Sequence, residues 1–284
     1  MPDNLVENSY RYCETVAQRE AKNFYYSFRV LPAEKRKAMC AIYSFMRYCD
    51  DAVDEPVSLE EKQQSIQKCR EEFVSLISGK MPENPIMPAL GDTLQKYKIP
   101  ETYFHELMDG MEMDISIDRY ETFEDLYQYC YRAASVVGLV TLHVFGFQNR
   151  EALQYGEYCG IALQLTNIIR DIPEDLSRGR IYIPREDLKR FQVTEQMLKE
   201  GQLKGPLSEL LKFESDRAYE YYHRAEPLIP LVDKKSQACL VAMVRIYRSL
   251  LDKIVSLHYD IFTQRIRISS CRKLAIGLKA WCSY

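Results

Sequence analysis

The sequence predicts an all-α fold, and three observations support this prediction. Apolar residues recur with helical spacing along most of the 284-residue chain, while the alternation typical of strands is nearly absent. The chain has only 11 glycines and 12 prolines, which is few for an α/β nucleotide-binding protein of this length. Its hydrophobic fraction of 46% suits a packed globular core. We therefore expect one all-α domain over residues 1–284, built from about ten helices.

The predicted helices follow one another along the whole chain. Pro32 and Pro56 bound the second helical segment, because proline suits a first turn and stops a helix. Ser58 and Glu61 form a capping-box pattern at the start of the third segment. The helical periodicity covers residues 6–28, 32–55, 58–80, 89–98, 100–117, 122–147, 150–175, 185–191, 194–200, 205–229 and 235–262.

Composition and charge exclude several classes of protein. A formal charge of -3 provides no basic surface for nucleic acid, so we expect no nucleic-acid partner. The nine cysteines show neither zinc-site spacing nor a disulfide framework, which predicts reduced core thiols in a cytoplasmic protein. The first residues lack the apolar region of a signal peptide. The sequence contains no run of about 18 apolar residues, so we expect no membrane span.

Asn167, Asp171 and Asp175 lie four residues apart in the stretch "TNIIRDIPED". On a helix, this spacing places three oxygen-bearing side chains on one face. Such a set suits Mg²⁺, which binds carboxylate oxygens and keeps positions for water and phosphate. The alternative is a solvated polar helix end, which Pro173 favours because it removes a backbone hydrogen bond and tends to kink the helix.

A second acidic cluster favours the metal site. Asp50 and Asp54 lie four residues apart, with Asp51 between them, at the end of another apolar helix. Negative charge is unfavourable at a helix C-terminus, so two helices with this feature are expected to face each other across cations. Mg²⁺ bound there with a diphosphate would neutralise the leaving group as a carbon–oxygen bond ionises.

Arginines accompany both acidic clusters. Arg47 precedes Asp50, Arg170 precedes Asp171, and Arg178 and Arg180 flank Gly179. Guanidinium groups donate two hydrogen bonds at once to phosphate oxygens, which indicates an anionic ligand. The alternative is salt bridging to the same aspartates, and an arginine can fill both roles in turn.

Four motifs resemble, in order, the signatures of the squalene/phytoene synthase family: "YSFMRYCDDAVDE", "YCYRAASVVG", "LQLTNIIRDIPED" and "GRIYIP". The resemblance extends from about residue 10 to about residue 270. It implies an isoprenoid-synthase-like helical bundle around a central cavity. It also implies a reaction in which two prenyl diphosphates are joined head to head through a cyclopropylcarbinyl diphosphate.

The resemblance implies roles for individual residues. The catalytic acids that hold Mg²⁺, with Asn167 in support, would be Asp50, Asp54, Asp171 and Asp175. The diphosphate-binding residues would be Arg47, Arg170, Arg180, Tyr182 and Arg265. The reaction centre would be lined by Tyr43, Gln164, Tyr247 and the catalytic Tyr129. The first helix would add Asn23 and Phe24 to the substrate site, with Asn23 where the family usually has a serine.

Among the products of such enzymes, the motifs look closest to bacterial squalene-route members. These condense two farnesyl diphosphates to presqualene diphosphate, and NADPH would be needed if squalene is formed. The alternative is a phytoene synthase that uses two geranylgeranyl diphosphates. A catalytically inactive relative that serves as a binding or assembly factor is disfavoured, because all four metal aspartates are present.

Three further segments carry expectations. Ala133, Ala134 and Gly138 keep one helix face small, which fits either a channel for a prenyl tail or close helix packing. The acids Asp109, Glu112 and Asp114 are expected to be solvated helix surface. The basic amphipathic tail, residues 265–284, fits peripheral contact with an anionic membrane or a docked terminal helix.

Overall fold

Within the part of the chain that the structure describes, the residues form fifteen α-helices and one π-helical turn. This computed structural model describes residues 3–21, 24–54 and 57–283. The all-α prediction is confirmed. The helices are α1 Asp3–Glu20, α2 Phe24–Phe28, α3 Ala33–Asp54, α4 Leu59–Ile77, α5 Met87–Tyr97, α6 Thr102–Ser116, α7 Phe123–Cys130, α8 Val136–Phe145, α9 Glu151–Ser177, α10 Arg185–Arg190, α11 Glu195–Glu200, α12 Pro206–Ala225, α13 Leu228–Leu231, α14 Lys234–Ser256 and α15 Ser270–Ser283.

Local sequence explains where several helices begin and end. The predicted capping box is present at α4, where the Ser58 side chain accepts from the Glu61 amide and the Glu61 carboxylate accepts from the Ser58 amide. The long segment predicted over 122–147 is divided by the π-helical turn Tyr131–Ser135 between α7 and α8. π-helical turns are uncommon and frequently lie at functional sites.

The last predicted helix ends earlier than its apolar periodicity indicated. Residues His258 and Tyr259 adopt left-handed conformations, with φ of 50° and 65°, so α14 stops at Ser256. The Tyr259 amide donates to the Ile254 carbonyl and closes this end. The chain then turns back and buries Ile266 and Ile268, which are 2% and 5% exposed. Burial of these isoleucines therefore outweighs the local preference for helix.

The buried residues form two large clusters, and a cavity lies between them. The first cluster includes residues of α1, α3, α4, α5, α6 and α8. The second includes residues of α7, α9, α12 and α14. Tyr131, Tyr158, Leu163 and Val244 pack against both clusters, so the two are continuous.

One close approach sets the wall between the clusters. A Cβ atom on Gly160 of α9 would lie 2.3 Å from the Cα of Ser135 in the π-helical turn. A glycine is therefore required at this crossing. The Ser135 hydroxyl donates to the Glu157 carbonyl across the same contact, at 2.8 Å.

All nine cysteines are free thiols, but the expectation that they are core thiols is wrong for two of them. Seven are buried, whereas Cys271 and Cys282 are exposed on α15. This helix lies at the end of the chain, and only one of its faces packs on the protein. Over residues 3–21, 24–54 and 57–283, no helix is long and apolar enough to cross a membrane.

A buried ionic triad attaches α10 to α12. Arg217 donates from Nη1 to Asp187 Oδ2 and to Glu214 Oε2, each at 2.8 Å. Both carboxylates are almost fully buried, at 3% and 1% exposure, and burial raises the pKa of Glu214. The guanidinium also lies 4.0 Å from the centre of the Phe123 ring. This triad holds the segment that follows "GRIYIP" against the bundle.

We expect Arg217→Met to lower the free energy of unfolding by about 3–5 kcal/mol, because two buried carboxyls lose their shared cation. Urea unfolding at pH 7 followed by circular dichroism measures the change. Lys212→Met, which breaks an exposed pair with Asp216 on the same helix, should cost less than about 0.5 kcal/mol. Equal losses in the two variants would show that the triad does not stabilise the fold.

Candidate active site

A cavity of about 420 Å³ lies between the two core clusters. Its volume falls within the range of small-molecule sites, about 300–1,000 Å³. The walls are mainly apolar and come from α3, α6, the π-helical turn, α8, α9 and α14. Ala133, Ala134 and Gly138 all line it, so this small-residue face borders the cavity.

One end of the cavity is polar and combines residues from three helices. α3 contributes residues that lie three to four positions apart, and α9 and α14 contribute the others. Six residues predicted from the sequence meet there: Tyr43, Arg47, Asp50, Gln164, Asn167 and Tyr247. A site with an apolar interior and a charged mouth suits a long hydrocarbon with an anionic head group.

On α3, Arg47 neutralises the acids that follow it. Its Nη1 lies 3.2 Å from Asp50 Oδ2, and its Nη2 pairs with Asp51. The buried Arg47 Nε has no hydrogen-bond partner among the described residues. Burial raises the pKa of Tyr43 to about 12, although Arg47 acts in the opposite direction. The mouth therefore has a protonated phenol and a guanidinium with an unused donor.

On α9, Arg170 and Asp171 form a bidentate pair. Arg170 Nε donates to Asp171 Oδ1 at 2.8 Å, and its Nη2 donates to the other carboxylate oxygen. Asn167 Nδ2 donates to Gln164 Oε1 at 3.4 Å. The buried Asn167 Oδ1 has no partner within the described part of the chain. An orphaned buried amide oxygen is costly, and a cation is one ligand that would satisfy it.

Pro173, which lies between Asp171 and Asp175, does not end the helix. α9 continues through Pro173 to Ser177, so Asp175 keeps its helical register with Asp171. Burial, and then repulsion from Asp171, raises the pKa of Asp175 to about 7, while Arg180 and Arg178 oppose the shift. Asn167, Asp171 and Asp175 therefore keep their four-residue spacing on one helix, and Asp175 holds a proton near neutral pH.

The loop after α9 folds back onto its end. Gly179 has a φ of +80°, which favours glycine, and the Arg180 amide donates to the Asp175 carbonyl at 2.9 Å. Arg119 Nη1 donates to the Gly179 carbonyl at 2.7 Å, and the Ile181 amide donates to the Asp118 carbonyl at 3.0 Å. These bonds hold "RGRIYIP" beside the segment that follows α6.

This attachment creates a tyrosine cluster around Asp114. Tyr182 donates to Asp114 Oδ1 at 2.7 Å, and Tyr129 donates to Asp114 Oδ2 at 3.2 Å. The rings of Tyr129 and Tyr182 stack with their centres 5.0 Å apart, and Tyr120 packs against both. Burial, reinforced by Asp114, raises the pKa of both hydroxyl groups, so they remain protonated.

The expectation that Asp114 is solvated surface is therefore wrong. Asp109 and Glu112 do lie at the surface and share Arg70, at 2.8 and 2.9 Å. Asp114 follows Glu112 by two residues, which turns it by about 200° to another face of α6. The helical register thus contained a signal that separates Asp114 from the patch. Tyr120, which sequence reasoning also missed, has no comparable local signal.

Three of the other predicted residues, Arg170, Asp171 and Arg265, line a separate groove. Arg265 Nη2 lies 3.1 Å from Glu174 Oε2, and both line a groove of about 230 Å³ with Arg170 and Asp171. Asp171 is therefore placed on the groove side of α9, while Asn167 faces the cavity. The predicted site is therefore divided among separate spaces along this helix, because Asp175, Arg180 and Tyr182 line neither the cavity nor the groove.

Three predictions lie outside the described residues: Asn23, and the side chains of Phe24 and Asp54. Among the side chains that are described, no group of three or more His, Cys, Asp or Glu residues is close enough to hold a metal ion. Arg47 and Arg170 pair with acids of α3 and α9, so the salt bridges expected as one role of these arginines are present.

Asp175→Asn should stabilise the protein without ligand at neutral pH. Because the pKa of Asp175 is raised in the fold, ionisation favours the unfolded chain as pH rises from about 4 to 7. We expect the free energy of unfolding of the variant to exceed that of the wild type by about 1–2 kcal/mol at pH 7. Near pH 4 the two values should be equal. Urea unfolding at both pH values measures this. Asp118→Asn, at a side chain 76% exposed, is the control and should show no such pH dependence.

Known proteins resemble this chain in sequence and in fold. The sequence model for squalene/phytoene synthase matches residues 17–272. The phytoene synthase of Mycobacterium tuberculosis is 36% identical over 281 residues, covering 98% of this chain and 92% of that protein. A crystal structure of a dehydrosqualene synthase in complex with ligand has a TM-score of 0.91 at 29% identity, covering 100% of both chains. A squalene synthase from Alicyclobacillus acidocaldarius has a TM-score of 0.85 at 26% identity, covering 91% of this chain and 97% of that chain. The chain is a prenyltransferase-type enzyme of the squalene/phytoene synthase family.

Proposed function

We propose that this enzyme condenses two farnesyl diphosphates head to head to presqualene diphosphate with Mg²⁺. The observation that carries the proposal is a cavity that combines apolar walls with Arg47, Asp50 and Asn167. This arrangement suits an amphiphile, since the hydrocarbon chain replaces water along apolar walls while the diphosphate meets cations and hydrogen-bond donors.

The acidic residues are proposed to hold Mg²⁺. The ligands would be Asp50 and Asp54 of α3 with Asn167, Asp171 and Asp175 of α9. The orphaned Asn167 Oδ1 supports this assignment, because it is an oxygen donor without a protein partner among the described residues. When bound, Mg²⁺ supplies charge neutralisation of the diphosphate leaving group.

The arginines are proposed to exchange partners when substrate binds. Arg47 and Arg170 are each held by an aspartate on the same helix, so they are already oriented beside the acids. Transfer of the acids to Mg²⁺ would leave both guanidinium groups to the diphosphate oxygens. Arg180, Tyr182 and Arg265 would complete diphosphate binding from the loop and the tail.

The tyrosines are proposed to act on the hydrocarbon side of the reaction. Tyr43 and Tyr247 border the cavity, where aromatic faces stabilise a carbocation and exclude water. Tyr129 lies behind Tyr182, and both hydroxyl groups donate to Asp114. Tyr129 therefore contributes by fixing Tyr182 and Asp114 next to Asp175 and Arg180.

The substrate is proposed to be farnesyl diphosphate because the solved structures that resemble the chain are named for squalene-type products. Formation of squalene itself would require NADPH. A second candidate is a phytoene synthase that uses geranylgeranyl diphosphate. It is favoured by the name of the relative from Mycobacterium tuberculosis, which is 36% identical.

Incubation of purified protein with Mg²⁺ and either farnesyl or geranylgeranyl diphosphate tests the substrate. We expect presqualene diphosphate from farnesyl diphosphate, and squalene only if NADPH is added and used. Mass spectrometry of the extracted lipids identifies the products. Phytoene alone, with farnesyl diphosphate unused, would replace our first candidate by the second. Failure with both substrates would contradict head-to-head condensation.

Asp50→Asn and Asp171→Asn test the proposed metal site. Each removes one carboxylate charge from a different helix, and we expect kcat to fall by about 100-fold or more. Circular dichroism should show an unchanged helical content. Asp216→Asn, at an exposed surface pair, is the matched control and should retain full activity. Full activity in both test variants would show that these acids do not hold the metal.

A further inference from the structure

The outer face of α15 is apolar and exposed. Leu274, Leu278 and Trp281 are 50%, 54% and 64% exposed, and their spacing places them on one side of the helix. The exposed thiols of Cys271 and Cys282 lie on the same side by helical register. Large apolar side chains grouped in this way are uncommon on a free surface and indicate a docking site.

The other side of α15 is attached to the protein. Ala280 is fully buried and clusters with Val241 and Ala242 of α14. Upstream, Ile266 and Ile268 are buried, whereas Arg265 and Arg267 alternate with them and are exposed. The tail is therefore anchored on both sides of Ser269, and its apolar face is held outward.

Positive charge lies next to this face. Residues 261–283 contain five cations and no acid, although the whole chain has a formal charge of -3. Arg272 and Lys279 are seven residues apart and exposed, so they border the apolar face on one side. Arg267 and Lys273 line a groove of about 980 Å³ with Arg29, Arg170 and Arg265.

We propose that α15 docks on an anionic lipid bilayer, with Leu274, Leu278 and Trp281 in the boundary between head groups and acyl chains. Arg272 and Lys279 would then contact lipid phosphates, as in helices that lie in the plane of a membrane surface. A second copy of this chain fits the surface poorly. A two-fold interface would bring two clusters of cations together, and their repulsion opposes association.

The position of α15 relates the docking surface to the cavity. Leu240, Met243 and Tyr247 of α14 line the cavity, while Val241 and Ala242 of the same helix cluster with Ala280. A docked bilayer would therefore lie one helix away from the cavity. The closeness of the bilayer to the cavity matters for an apolar substrate or product, so this consequence rests on the proposed function. The docking itself does not rest on the proposed function.

Trp281 is the only tryptophan in the chain, so the intact protein contains its own probe. Vesicles of phosphatidylcholine with phosphatidylglycerol are titrated into the full chain without substrate or metal. We expect the Trp281 emission to shift to shorter wavelength, and lipids brominated on their acyl chains to quench it. Binding should weaken in high salt and be at least about tenfold weaker to phosphatidylcholine alone. An emission that never changes with lipid would overturn the proposal.

Two pairs of substitutions separate the apolar and the charged contributions. Leu274→Ser with Leu278→Ser, and Arg272→Glu with Lys279→Glu, should each weaken vesicle binding by about tenfold. The controls are Leu59→Ser, at a leucine 57% exposed on α4, and Lys68→Glu with Lys80→Glu near the same helix. Neither control should change binding.

Wild-type binding in both test variants would overturn the proposal. So would an emission shift that follows protein concentration without lipid, together with a dimer in sedimentation, because the face would then be covered by a second copy. Equal binding to neutral and anionic vesicles would overturn the assignment of an anionic bilayer. None of these three outcomes depends on catalysis, so each is distinguishable from failure of the proposed reaction.

Discussion

The structure depends on the neutralisation of carboxylates that line an apolar cavity and a groove on the same helix, α9. Asp50 and Asp171 are partly removed from water at the ends of apolar helices, where an uncompensated charge is costly. Arg47 and Arg170 neutralise them from the same helices, while Asp175 keeps a proton near neutral pH. The acids and the arginines of the site thus neutralise one another within each helix.

The cavity itself depends on close contact between two elements. α9 approaches the π-helical turn at Gly160, and small residues on the opposite wall leave a space that larger side chains would fill. The same π-helical turn follows α7, which carries Tyr129 toward Asp114 and Tyr182. One local irregularity therefore positions both the apolar wall and the tyrosine cluster.

The two ends of the site are held by different means. Hydrogen bonds from Arg119 and the amide of Ile181 fix the loop that carries Arg180 and Tyr182, and the buried Arg217 triad secures the helix that follows. The tail that carries Arg265 is held by buried isoleucines and by α15. A groove lined by arginines and an exposed apolar face thus belong to the same terminal segment.

Local sequence patterns were enough to predict the helical class, the capping of α4, the two acidic clusters and the arginines that accompany them. They were enough because helical periodicity and residue spacing are local properties, read directly from neighbouring positions. Six of the predicted site residues also meet at the cavity mouth, since i, i+3 and i+4 spacing already places them on shared faces.

Tertiary structure alone decided which faces meet. It brought Asp114 to Tyr129 and Tyr182, placed Asp171 in the groove rather than in the cavity, and ended α14 early so that Ile266 and Ile268 could be buried. It also left one face of α15 exposed, with Cys271 and Cys282 on it. The physical reason is that spacing specifies the face a residue occupies on its own helix, whereas the neighbour of that face follows from how all the helices pack.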